Sequence, residues 1–78
     1  MISEEYITNI GIVIREMRAA KGLTQVELAE AAGLSRTYLT MVENGSRNAH
    51  IKNLVLIATA LGVPVSELFK KAEEKHVV

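Results

Sequence analysis

The sequence predicts an all-α fold, a compact bundle of five helices in one domain spanning residues 1–78. Three observations predict it. Apolar residues recur at the three- and four-residue spacing that one helix face requires. Glycines follow Lys21, Ala32, Asn44 and Leu61, where a left-handed residue ends a helix. The chain is 49% apolar yet holds only Tyr6, Tyr38 and Phe69 as aromatics, which suits a bundle of Leu, Ile, Val and Ala. A core of this size is small, but many domains of similar length fold alone. There is no internal repeat, low-complexity tract or linker.

The first helix is expected from near Glu5 to near Lys21, with Gly22 at its end. Ile10, Val13, Ile14 and Met17 form its apolar stripe, and Ile7 extends it. Gly11 lies inside this helix at a cost of about 1 kcal/mol against alanine, which points to close packing. Thr24 followed by Glu27 reads as a capping box, so a second helix starts at Gln25 and runs to about Ala32. Gly33 breaks it, and Ser35 caps a third helix that runs to about Asn44 and is closed by Gly45. Two short helices around a glycine turn make a helix-turn-helix, here about residues 25–44. Leu28, Ala32, Leu34, Leu39 and Val42 point into one core, and Ala29 faces the crossing of the two helices.

The fourth helix is expected over about Ile51 to Leu61, with Ile51, Leu54, Ala58 and Leu61 inward and Gly62 at its end. Asn48 is a candidate cap for it. Pro64 suits the first position of a fifth helix carrying Val65, Leu68 and Phe69. Val55, Leu56, Ile57 and Ala60 exceed what one inward face needs, which predicts burial on a second side. The charged tail over residues 72–78 is expected to fray.

The third helix carries the chemistry. Arg36, Thr37, Thr40, Met41 and Asn44 fall at i, i+1, i+4, i+5 and i+8, one outward stripe. Arginine, threonine and asparagine there can hydrogen-bond base edges and phosphates. Arg47 and Asn48 follow directly, in a loop suited to phosphate contact. The formal net charge is zero, which counts against binding nucleic acid by bulk charge alone. Between Arg36 and Lys52, however, stand three bases against one acid, Glu43, and this predicts a modest positive face.

Other classes are disfavoured. There is no cysteine, hence no disulfide or thiolate metal site, and His50 and His76 form no ligand cluster, so no metal and no cofactor is expected. No apolar run is long enough to span a bilayer, and the acidic start is no signal peptide, so a cytoplasmic protein without membrane contact is expected. Ser35 and Ser46 lie near His50, but no third group or oxyanion arrangement accompanies them, so no enzyme is expected.

Thr24-Gln25, Glu27-Leu28-Ala29, Gly33-Leu34-Ser35, Leu39 and Val42-Glu43-Asn44-Gly45 together closely resemble the XRE/Cro/C1 family of bacterial helix-turn-helix regulators, whose domain is lambda-repressor-like. The run Ser35-Arg36-Thr37-Tyr38-Leu39, with Arg47-Asn48 and the short length, is most similar to the controller proteins of restriction–modification systems. That resemblance implies a homodimeric transcription regulator that binds double-stranded DNA at a pseudo-palindromic operator and acts on its own promoter and on an endonuclease gene. It implies phosphate contact from Gln25, base or backbone contacts from Arg36, Thr37, Tyr38, Thr40 and Asn44, and an ion pair between Arg18 and Glu43. A surface for RNA polymerase would fall to Glu27 and Glu30, although a capping box and a solvated charge explain these two equally well. The dimer interface is expected on the last two helices, at Leu56, Val65 and Phe69. A phage-type repressor, an antitoxin and a protein-interaction module are the alternatives.

Overall fold

The computed structural model describes residues 4–76, with the side chains of Glu4 and His76 left aside. Five helices follow one another, and no strand occurs among the described residues: α1 Glu4–Ala20, α2 Gln25–Ala32, α3 Arg36–Glu43, α4 Ile51–Leu61 and α5 Val65–His76. The boundaries follow the local signals. At α2 the Thr24 hydroxyl accepts from the Glu27 backbone N–H at 3.0 Å, and the Glu27 carboxylate accepts from the Thr24 N–H at 2.8 Å. Both halves of the capping box are therefore made. Gly33 has φ 73°, a conformation that strains any residue with a Cβ, and Leu34 N–H reaches back to the Ala29 carbonyl at 2.9 Å. Ser35 then caps α3 by accepting from Tyr38 N–H at 3.1 Å.

The core joins all five helices. Ile10, Val13 and Ile14 of α1, Leu28, Ala29 and Ala32 of α2, Leu39 and Val42 of α3, and Leu54, Ile57, Ala58 and Leu61 of α4 are buried together with Leu68 and Ala72 of α5. Leu34 and Met17 are only partly buried at its edge. Gly11 marks the closest approach. A Cβ there would sit 2.7 Å from the Glu43 carbonyl oxygen and closer still to that of Val42, so the backbone of α1 rests against the last turn of α3.

Three expectations change. Ile51 is 52% exposed; as the first residue of α4 it lies at the rim, and the inward stripe is Leu54, Ile57, Ala58 and Leu61, at i, i+3, i+4 and i+7. The cap of α4 is His50, whose Nδ1 accepts from Lys52 N–H at 3.1 Å, and Asn48 lies outside the helix. α5 runs on to His76, past residue 72, where the tail is expected to begin. Leu68 and Ala72, one turn apart, enter the core, and Lys75 Nζ pairs with Glu16 of α1 at 3.0 Å. Residues 77 and 78 of that tail lie outside the described residues.

Candidate nucleic-acid interface

The turn between α2 and α3 places the outer face of α3 on the surface. Arg36 and Thr37 are exposed, Thr40 and Met41 are half-buried, and these four line one shallow depression. Arg47 and Asn48 are exposed just beyond the helix, as is Lys52. The one acid between Arg36 and Lys52 is absent from this surface. Glu43 is 2% exposed and is neutralised from behind. The exposed charges of this stretch are therefore Arg36, Arg47 and Lys52, although the formal net charge of the chain is zero.

Behind that surface lies a partly buried hydrogen-bond relay. Arg18 Nε donates to Glu43 Oε2 at 2.8 Å and Nη2 donates to Oε1 at 3.1 Å, a two-pronged contact, while Nη1 donates to the Leu23 carbonyl at 2.8 Å. Hydrogen bonding to the Glu43 carboxylate raises the Arg18 pKa further above its already high ordinary value. Gln25 Nε2 donates to Glu43 Oε1 at 3.0 Å, and Thr40 Oγ1 donates to Gln25 Oε1 at 2.9 Å. One connected network therefore joins α1, the start of α2 and the outer face of α3.

Each residue expected at the interface has a definite place. Gln25 is half-buried and engaged in the relay, so one of its two amide hydrogens is already committed. Tyr38 is half-buried; its hydroxyl accepts from Asn53 Nδ2 at 3.0 Å, and the Arg47 guanidinium lies 5.4 Å from its ring centroid. That stacking ties the loop after α3 to the helix itself. Asn44 is the C-cap of α3, and its Oδ1 accepts from Ser46 N–H at 3.0 Å, which leaves its amide donors facing out. Glu27 and Glu30 are both exposed, and Glu27 is also engaged in its cap. Leu56, Val65 and Phe69 are each half-buried against the core. Phe69 also meets the Tyr6 ring, with centroids 6.4 Å apart, and its carbonyl accepts from the Tyr6 hydroxyl at 3.3 Å.

Sequence reasoning missed the contributions of His50, Asn53 and Lys75. His50 stands directly before an apolar helix and could have been read as a cap, although Ser, Thr, Asp and Asn are preferred there. The Asn53–Tyr38 and Lys75–Glu16 contacts join residues far apart in the chain and leave no local signal.

Residues 14–68 match the helix-turn-helix family, and the chain belongs to it. Members of this family are DNA-binding transcription regulators, not enzymes. The chain is 38% identical over 66 residues to the control protein C.MunI of Mycoplasma sp, covering 83% of this chain and 89% of that one. It is 42% identical over 59 residues, 76% of its length, to the immunity repressor protein of Bacillus phage phi105, of which it spans only 41%. Among solved structures, the restriction–modification controller protein C.AhdI from Aeromonas hydrophila is similar with a TM-score of 0.79 and 44% identity, over 81% of this chain and 96% of that one. No single helix among the described residues is long and apolar enough to cross a membrane.

Proposed function

We propose that this chain is a homodimeric controller protein of a restriction–modification system, acting in the cytoplasm on its own promoter and on an endonuclease gene. The observation that carries this reading is the outer face of α3. It is exposed, polar and basic, and its acid is buried and paired. The relatives named as controllers support the rest, since the chain spans most of the length of C.MunI and of C.AhdI. A dimer assembled through α4 and α5, with Leu56, Val65 and Phe69 in the interface, would set two copies of α3 about 34–36 Å apart, one turn of the duplex, on a pseudo-palindromic operator.

The side chains divide the work. Arg36 can take guanine O6 and N7 together, and Thr37 can touch a base edge or a thymine methyl. Arg47, Asn48, the free amide hydrogen of Gln25 and the amide of Asn44 donate to phosphates, and the Tyr38 hydroxyl still has a proton to give. Glu27 and Glu30 are the exposed acids of α2 available to RNA polymerase, Glu27 while also holding its cap. A phage repressor is the second reading, favoured by the identity to the phi105 protein, and the neighbouring genes separate the two.

The test is a reporter fused to the promoter of this gene, with the protein supplied from a second, titratable source. Expression should change steeply with protein level, because only the dimer presents both recognition helices. Expression independent of protein level would remove the autoregulatory role.

A further inference from the structure

The relay behind α3 dictates which way the Thr40 hydroxyl points. Glu43 is a carboxylate and can only accept. Gln25 therefore turns its amide nitrogen toward it, at 3.0 Å, since an amide oxygen there would face a negative charge. That leaves Gln25 Oε1 toward Thr40 at 2.9 Å, and this oxygen also only accepts. The Thr40 proton must go to Gln25. What Thr40 can offer on the outer side is a pair of lone pairs and a methyl group. It lines the same depression as Arg36, Thr37 and Met41.

We propose that Thr40 is a specificity-determining residue that acts as a hydrogen-bond acceptor for an exocyclic amino group in the major groove, adenine N6 or cytosine N4. Gln25 is the positioning residue that fixes this polarity. Guanine O6, thymine O4 and phosphate oxygens all accept, so none of them can bond to Thr40 while the relay stands. Met41 beside it offers the amine only a weakly accepting thioether sulfur, so the Thr40 oxygen is the stronger acceptor. The inference rests on the reading of α3 as the helix that reads DNA.

The experiment selects sites from a randomised duplex pool with the wild-type protein. In the selected duplex each adenine is then replaced by purine, which lacks the 6-amino group, and each cytosine by its analogue lacking the 4-amino group. Binding is measured for wild type, Thr40→Val, Thr40→Ser and Gln25→Ala, each checked for helicity. One amino deletion should weaken wild type and Thr40→Ser by about three- to tenfold, as the loss of one hydrogen bond does. Whether it lies at adenine or cytosine names the base. The same deletion should leave Thr40→Val unchanged. Gln25→Ala frees the Thr40 proton, so its preference at that pair should move toward guanine or thymine; this arm tests polarity even if Thr40→Val does not fold. Equal sensitivity of wild type and Thr40→Val at every position would overturn the acceptor role. A uniform loss in Thr40→Val with a smaller salt slope would overturn it in favour of a phosphate contact. A wild-type protein that enriches no sequence would overturn the DNA-reading assignment of α3, a different outcome from enrichment without an effect of Thr40.

Discussion

Arg18 grips Glu43 with two nitrogens, at 2.8 and 3.1 Å, across 25 residues of sequence. With Glu43 only 2% exposed and the Arg18 side chain 15%, removing either partner leaves the other a largely buried charge without its counter-ion. Arg18→Ala and Glu43→Ala should each destabilise the fold by about 3–5 kcal/mol. The double variant should lose less than the sum, because the second removal relieves the orphan left by the first. Urea denaturation of the four proteins measures the coupling, and strict additivity would show that the pair contributes nothing as a pair.

Gly11→Ala tests the contact between α1 and α3. Helix propensity alone would favour alanine by about 1 kcal/mol. Yet the new methyl would meet the backbone carbonyls of Val42 and Glu43, which cannot swing aside as a side chain can. Net destabilisation of about 1–3 kcal/mol is expected from the forced shift. A rise in melting temperature would show that the two backbones part to admit the methyl.

Arg36 and Arg47 should fail in different ways. Arg36→Ala should cost about 1–3 kcal/mol and relax discrimination at one guanine. Arg47→Ala should weaken binding to every sequence alike and reduce the log–log salt slope by about one. Titrations at several salt concentrations, on the selected site and on a guanine-substituted one, distinguish the two patterns.

Alkaline pH acts through Tyr6. Burial, and then the nearby charge of Glu73, raise its pKa above the ordinary tyrosine value. The folded state therefore holds this proton more tightly than the unfolded chain. The stabilisation is fully present below about pH 10, the unfolded value, and is lost as pH rises through the higher folded value. Tyr6→Phe has no proton to lose, so its stability should fall less steeply across that window. Parallel wild-type and variant curves would remove Tyr6 from the alkaline transition.

Self-association should depend on the outer side of α4 and α5. Leu56→Glu or Phe69→Glu should shift the monomer–dimer equilibrium toward monomer, while helicity largely survives at high concentration. Sedimentation equilibrium reads this directly. Wild type running as a monomer at about tens of micromolar, where mass action still assembles a modest dimer, would remove the proposed interface.

The parts of the fold written in short-range chemistry were legible. Thr24 with Glu27, Gly33 and Ser35 each declare a helix end within four residues, and all do what they declare. Gly11 could be flagged because glycine inside a helix costs stability and so implies a reason. The Arg18–Glu43 pair was accessible only through the family resemblance, since no spacing rule links residues on different helices. The relay through Gln25 was not legible for the same reason, and it adds to the reading of Gln25: its amide oxygen and one amide hydrogen are shared with Thr40 and Glu43, which leaves one hydrogen for a phosphate. Ala72 misled because a small residue amid charges looks solvated; only the neighbouring α1 shows that it is covered.

The contact at Gly11 also bears on the duplex. With main chain resting on main chain, no side chain at Gly11 can give way between α1 and α3 when α3 enters a poorly shaped groove. To that extent the edge is stiff, and adjustment shifts toward the nucleic acid. Base steps that flex readily, TA and CA/TG above all, then lower the cost of adjustment even where no side chain reaches them. Part of the operator would thus be spelled in compliance, at base pairs this chain never touches.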